Sequence, residues 1–288
     1  MATAFWIAVL VFILWSVLRS SWTGRRRSSP VPVACPTPKT KTWVLGPGEV
    51  FKKEYVSFSR LRAFEKCPRM FELIYLYGLP ERSGRAAQVG SLVHEIIHLY
   101  SAGHGGSLSE KLRARGPVEG LLDLYDLARL HTNPTFSIPE QELRPYLENF
   151  VAVNTIDSFR VQATEHECNC TVGAFTLKCV IDRVDVGAKS TCTIIDYKTG
   201  NPRYAVKRQL EAYAYVLSAG RWAPCELVFQ FLKNGTVCGW EYTRRLHDNA
   251  EQWVLQRTRE IQNTEVFRRT RSWLCDYCGV SEHCYGVP

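Results

Sequence analysis

Three sets of residues have the types and spacing for chemistry. In LVHEIIHLYSAGH, residues 92–104, His94 and His98 stand four apart around Glu95. On a helix this puts both imidazoles on one face, where they can bind Zn2+ while the glutamate acts as general base, the arrangement used in zinc-dependent peptide hydrolysis. The longer version of that motif, with His104 as third ligand, wants a glycine where this chain has Ser101. It also needs a methionine turn downstream, yet the only methionines, Met1 and Met70, lie upstream. The second set is Asp182, Asp196 and Lys198. Asp196 and Lys198 are two apart and share a face on a strand. If their strand pairs with the one carrying Asp182, two carboxylates and an ammonium converge. Carboxylate oxygens hold Mg2+ or Mn2+, and such a cation activates water for phosphodiester hydrolysis. Lys198 is placed to stabilise the developing charge. The third set is four cysteines: Cys67, and Cys275, Cys278 and Cys284 in WLCDYCGVSEHCYG. Four thiolates in this spacing can hold either tetrahedral zinc or an iron–sulfur cubane.

These residues need elements to position them. The pattern SFSRLRAFEKCPRMFELIYLYG is helical, with Ser59 as a candidate N-cap, Gly78 as a stop and Pro68 forcing a break after Cys67. AAQVGSLVHEIIHLYSAG gives a second helix that carries His94. Residues 101–150 read as a helical segment. The period then changes to two: FTLKCVIDRVDV and TCTIIDYKTG are strands separated by GAKS. VKRQLEAYAYVLSAG is a helix with Gln209 and Tyr213 stacked one turn apart. CELVFQFLKNGTVCGWEYT is a hairpin turning at Asn234-Gly235, and a basic amphipathic helix over roughly residues 247–268 leads to the cysteine-rich tail.

GSLVHE (residues 90–95), VIDRVD (180–185), IIDYKTG (194–200) and QLEAYAY (209–215), in this order, resemble the RecB-type branch of the PD-(D/E)XK nucleases. The resemblance implies an α/β fold with a central mixed β-sheet flanked by helices, the restriction-endonuclease-like core. It implies His94, Asp182 and Asp196 as Mg2+ or Mn2+ ligands, Lys198 as the catalytic lysine, and Gln209 and Tyr213 as residues that support the site and touch DNA. An upstream glutamate is also expected, for which Glu165 and Glu167 are both candidates. Cys179 stands where the family often has glycine, a departure expected to affect packing rather than chemistry. In AddB, the CRISPR-associated nucleases and exonuclease V, one cysteine before the nuclease core and three after it hold a 4Fe-4S cluster. By that likeness Cys67, Cys275, Cys278 and Cys284 are cluster ligands, stapling the two ends of the domain. Zinc binding or free thiols is the alternative.

The chain has 288 residues, 12% aromatic, with a formal net charge of +8. That excludes a disordered chain and permits an anionic partner. Of its 11 cysteines, Cys168, Cys170, Cys179, Cys192, Cys225 and Cys238 fall in strand-like segments and read as small buried hydrophobes. Residues 2–18 form an apolar run, followed by Arg19 and Arg25-Arg26-Arg27. Hence a transmembrane anchor is expected over residues 1–23, a basic, Pro/Ser-rich linker over 24–50, and a nuclease domain over 51–288. This predicts a single-pass membrane protein with the nuclease domain on the cytosolic or an equivalent reducing side. Arg244, Arg245, Arg257, Arg259, Arg268, Arg269 and Arg271 interleave with Trp240, Tyr242, Trp253 and Trp273, a composition that suits single-stranded DNA. No ATP-binding P-loop is present, so the chain carries no motor of its own. The expected activity is a stand-alone, metal-dependent DNA exonuclease. A cluster-stabilised DNA-binding or adaptor subunit is the alternative, and a zinc peptidase a remote one.

Overall fold

The computed structural model of the chain describes residues 46, 55–102, 108–156, 159–187 and 191–284, all within one compact unit. Helix α1 (Phe58–Lys66) is capped by Ser57, two residues before the serine the pattern suggested: its hydroxyl accepts the Arg60 N–H at 3.3 Å. The helix ends at Cys67, whose backbone is extended (φ −163°) because the ring of Pro68 excludes the helical conformation from the residue before it. Helix α2 (Pro68–Phe71) restarts at once and widens into a π turn, Glu72–Leu76. The break leaves Cys67 at a corner between helices.

Helix α3 (Arg85–Ala102) is followed by α4 (Leu108–Arg113), α5 (Pro117–Leu122), α6 (Tyr125–Thr132) and α7 (Glu140–Asn154), which make up the expected helical segment. Five strands, β1 (Val161–Val172), β2 (Phe175–Val186), β3 (Thr191–Lys198), β4 (Ala223–Phe231) and β5 (Thr236–Glu241), form one sheet in sequential order. All neighbours are antiparallel except β3 and β4, which run parallel and are joined by α8 (Arg208–Ser218). The sheet is therefore mixed, as expected, and the hairpin turns at Asn234-Gly235. Helix α9 (Arg244–Gln262) starts at Thr243, whose side chain accepts the Leu246 N–H.

Successive residues of β3 feed opposite layers. Ile194 packs with Ile181, Leu210, Phe229 and Trp253 beneath α1, α8 and α9. Ile195 and Tyr197 pack with Leu92, Ile96, Leu143 and Phe150 beneath α3 and α7. The sheet is thus covered on both faces. Trp253 is 5% exposed and its indole N–H donates to Glu65 Oε1 at 2.7 Å. It is a core residue rather than a DNA contact, and the basic-aromatic set loses it.

Residues 2–18, read as an anchor, lie outside the described residues. Among the described residues, no helix is long and apolar enough to cross a membrane. The long helices α3 and α9 carry His94, Glu95 and His98 or a largely charged outer face. The expectation of a single-pass membrane protein is corrected on this finding.

Candidate active site

The site forms where β2 and β3 part. Their ladder runs from Val186–Cys192 to Arg183–Ile195 and stops. One step further, the register would set Asp182 directly opposite Asp196, and like charges facing each other across strands oppose pairing. The Tyr197 N–H donates instead to Asp182 Oδ2 at 2.7 Å. The splayed strand end becomes a cleft between α3 on one face and α8 on the other.

From the α3 side comes His94, whose Nδ1 lies 3.4 Å from Asp182 Oδ2. Gly90, one turn earlier, lets α3 sit this low: a Cβ there would come within 2.8 Å of Thr199 Oγ1, just past the end of β3. The ring of Tyr197 meets His94 edge-on, with centroids 6.0 Å apart. From β1 comes Glu165, and it resolves the choice between the two glutamates. His94, Glu165 and Asp182 each offer a ligand atom, all within 4.8 Å of one another. Glu167 is exposed and pairs with Lys178 at 2.8 Å. Glu165 adopts φ +44°, a left-handed conformation unfavourable for a side chain bearing a Cβ, so the strand accepts local strain where it delivers this carboxylate.

The α8 side carries the other half. Asp196 is 1% exposed and forms an ion pair with Lys198. Its Oδ2 lies directly against that ammonium, so Lys198 engages this buried oxygen. Lys198 Nζ donates to Gln209 Oε1 at 2.9 Å, and Gln209 Nε2 donates to the Tyr213 hydroxyl at 2.8 Å. Gln209 and Tyr213 thus act on the site through Lys198. The structure brings together all six residues expected from the sequence, although Asp196 stands with Lys198 rather than in the His94–Glu165–Asp182 group.

The electrostatics are those of three clustered acids whose burial outweighs the Lys198 ammonium beside them. Burial raises Asp182 to about 6, against the lowering effect of the Tyr197 N–H and Lys198. Burial and then Asp182 raise Asp196 to about 7, with Lys198 and His94 opposing. Burial, then Asp182, Glu95 and Asp196, raise Glu165 to about 7. Burial lowers His94, which favours the neutral imidazole that a metal requires. One imidazole and two carboxylates that converge beside a third, buried carboxylate are a donor set that fits a hard divalent cation.

Sequence reasoning missed a support beneath the cleft. Arg183 is 2% exposed and binds both oxygens of Asp185, at 2.8 and 2.6 Å. It also donates to Asn154 Oδ1 at 2.7 Å and to the Tyr197 hydroxyl at 3.3 Å. Asn154 in turn exchanges hydrogen bonds with Gln230. This network ties α7, β2, β3 and β4 together and fixes Tyr197, which touches both Asp182 and His94. The alternation of DRVD with IIDY was its only trace in the sequence.

The HExxH reading does not survive. Glu95 Oε1 bonds to His131 Nδ1 at 2.6 Å and His98 Nδ1 to Thr164 Oγ1 at 3.1 Å. His98 enters no metal-like group among the described residues, and His104 lies outside them.

The four expected cysteines line one cavity of about 580 Å³ with Met70, Leu73 and Arg271. The Thr270 N–H points at Cys67 Sγ (3.4 Å) and the Ser272 N–H at Cys275 Sγ (3.5 Å). Burial raises Cys278, reinforced by Cys284, Cys67 and Cys275. Among the described residues no three of these sulfurs lie within 4.8 Å of one another. Gly279 locks the tail down: a Cβ there would be 2.5 Å from the Arg82 carbonyl oxygen, and Gly279 O accepts the Arg82 N–H at 3.0 Å. Of the remaining cysteines, Cys170, Cys179 and Cys192 are buried as expected, while Cys225 is exposed. Cys179 packs against α8, its Sγ 4.0 Å from the Ala212 carbonyl oxygen.

With a mixed sheet, a split strand end and a carboxylate–lysine pair in place, the chain defines a nuclease. It belongs to the PD-(D/E)XK nuclease superfamily, whose sequence model matches residues 55–285. Among solved structures it is similar to a Eubacterium rectale protein whose name proposes an exonuclease, at 14% identity and a TM-score of 0.47, covering 79% of this chain and 88% of that one. It is also similar to the protein SSO0001, at 16% identity and a TM-score of 0.32, covering 69% of this chain and 86% of that one. No curated protein matches the chain. Both structural likenesses are distant, and family membership rests on the sequence match.

Proposed function

We propose that this chain is a metal-dependent DNA exonuclease acting on single strands, with a 4Fe-4S cluster on Cys67, Cys275, Cys278 and Cys284. The observation that carries the catalytic part is the split of β2 from β3, which sets His94, Glu165 and Asp182 around one point beside the Asp196–Lys198 pair. His94, Asp182 and Asp196, with Glu165 added, are the residues that would hold Mg2+ or Mn2+. When bound, the cation supplies an activated water and positive charge at the phosphate. Lys198 Nζ has three donors. Asp196 and Gln209 engage two, leaving one for a phosphate oxygen or the attacking water. Gln209 and Tyr213 hold the ammonium in place, and the Arg183 network keeps Tyr197 against Asp182.

Support for action on single strands comes from the exposed arginines of the tail, Arg268 and Arg271, beside the exposed ring of Trp273. The test is digestion of end-labelled linear and of circular single-stranded DNA with Mn2+. Loss of the linear substrate with circles intact is expected. Cleavage of circles would overturn the exonuclease assignment. Iron and inorganic sulfide in equal amounts, in a brown preparation, are expected for the cysteine site; one zinc per chain without iron would exclude the cluster.

A further inference from the structure

We propose that Tyr204, Trp273 and Tyr277 form a stacking track for the unpaired bases of a DNA strand, carried half by the active-site loop and half by the cysteine-bearing tail. The track deepens the nuclease reading above and rests on it. The three rings are 51%, 57% and 80% exposed, and none belongs to either hydrophobic core. They are contiguous: the Tyr204 and Trp273 centroids are 5.6 Å apart, and those of Trp273 and Tyr277 are 6.2 Å apart. Large aromatics gathered on a surface that the fold does not need mark a binding site.

The position of the track points to the ligand. Tyr204 closes a short 3-10 turn, Pro202–Tyr204, in the connection between Lys198 on β3 and Gln209 on α8. Six residues of chain reach at most about 20 Å, so the ring stands within a few nucleotides of Lys198. Asn201 braces this turn by accepting the Arg203 N–H at 3.0 Å. Trp273 and Tyr277 lie on a second turn, Trp273–Tyr277, braced by Ser272 and containing Cys275. Both halves are built on capped turns. Cations flank the rings: the Arg203 guanidinium lies 4.6 Å over Tyr204, and Arg271 is exposed two residues before Trp273, with no acidic partner at ion-pair distance among the described residues. Rings for base faces and arginines for phosphates, beside a phosphodiester-cleaving site, are the features of a single-strand path. A duplex keeps its base faces covered and cannot use the rings. The cysteine tail therefore does more than close the domain: it completes the surface over which the substrate enters.

The experiment measures binding without cleavage, by fluorescence anisotropy of the full chain in EDTA. The probes are labelled oligothymidylate, an abasic strand of equal length, and a duplex. Tyr204→Ala and Trp273→Ala should each weaken oligothymidylate binding by about 5- to 150-fold, the range for losing one stacked base. They should leave duplex binding and the salt dependence unchanged, and abolish the wild-type preference for oligothymidylate over the abasic strand. Trp273→Phe should restore most of the affinity, which a folding defect would not permit. Arg271→Ala should reduce the salt slope by about one. Wild-type affinity in both alanine variants, or equal wild-type affinity for abasic and thymidine strands, would overturn the track. Base-dependent binding without any Mn2+-dependent cleavage would strike the nuclease reading alone. Cleavage that is insensitive to all three rings would strike the track alone.

Discussion

The fold holds the carboxylate cleft and the cysteine corner, the two proposed ligand sites, in opposite ways. The cleft is assembled from regular elements on both faces of the sheet: α3 gives His94, β1 Glu165, β2 Asp182, β3 Asp196 and Lys198, and α8 Gln209 and Tyr213. Beneath it lies a buried and fully bonded arginine network. The corner is made of a helix break at Cys67 and two 3-10 turns, Trp273–Tyr277 and Ser281–His283. Its ties to the body are mostly single contacts, among them the Arg82–Gly279 backbone bond, the Arg69 N–H to the Arg268 carbonyl at 3.3 Å, the Thr270 N–H to Cys67 Sγ, the Tyr204–Trp273 ring contact, an exposed Arg82–Glu282 pair and the buried Val280. The cleft is thus held by the protein against its own charge, whereas the corner, on the proposed function, draws its stability from the cluster. Preorganisation favours catalysis in the first case, and ligand binding becomes folding energy in the second.

Asp182→Ala gives the largest expected effect. Nuclease activity should fall by about 10²- to 10³-fold or more, with Mn2+ affinity lost in calorimetric titration, while the circular dichroism spectrum stays native. Unfolding of this variant would show that the cleft, like the corner, owes its shape to its ligand. Cys67→Ser tests the other side. It should remove iron, expose residues 268–284 to protease and lower stability by about 3 kcal/mol or more, roughly 10 °C in Tm. Mn2+ affinity at the cleft should stay within a few-fold of wild type. A parallel loss of Mn2+ binding would merge the two regions into one cooperative unit.

Gly279→Ala should cost about 1–3 kcal/mol, because the added Cβ would meet the Arg82 backbone rather than a movable side chain. Thermal melts with the cluster intact would measure it, and an unchanged Tm would mean the tail is anchored elsewhere. The stability of the metal-free protein should also depend on pH. Glu165, Asp196 and Asp182 are raised to about 7, about 7 and about 6. Groups with raised folded-state values stabilise fully below their unfolded values and lose that contribution as pH rises through the folded ones. The metal-free protein should therefore be more stable near about pH 5 than about pH 8, by several kcal/mol. Saturating Mn2+ should reverse the trend, since bound ligands must be deprotonated. A metal-free protein that gains stability with pH would show that the three acids are solvated.

The chemistry was more legible in the sequence than its setting. Asp196 and Lys198 declared a shared face through their spacing on an alternating strand, and Gln209 and Tyr213 through one helical turn. Pro68 announced the break that presents Cys67. Glu165 could not be separated from Glu167, because alternation assigns both to one face and only the folded strand, with its positive φ at Glu165, turns that carboxylate to His94 and Asp182. Strand β1 showed only in the strand-like surroundings of Cys168 and Cys170: QATEHECNCT is polar because this strand forms a sheet edge, so it carries little of the hydrophobic alternation that marked β2. Trp253 was misread because its neighbours are basic, although its own position on α9 faces the core. Tyr204 had no signal at all, since its partner Trp273 lies 69 residues away and only the fold brings them together.

The central claim is that Lys198, held between Asp196 and Gln209, serves the chemistry at the metal site rather than the fold. Single-turnover cleavage of end-labelled single-stranded DNA at saturating Mn2+ tests it directly, comparing wild type with Lys198→Ala at equal metal and DNA occupancy. The rate should be lower by about 10²-fold or more in the variant, with metal and DNA bound as in wild type. Equal rates would contradict it.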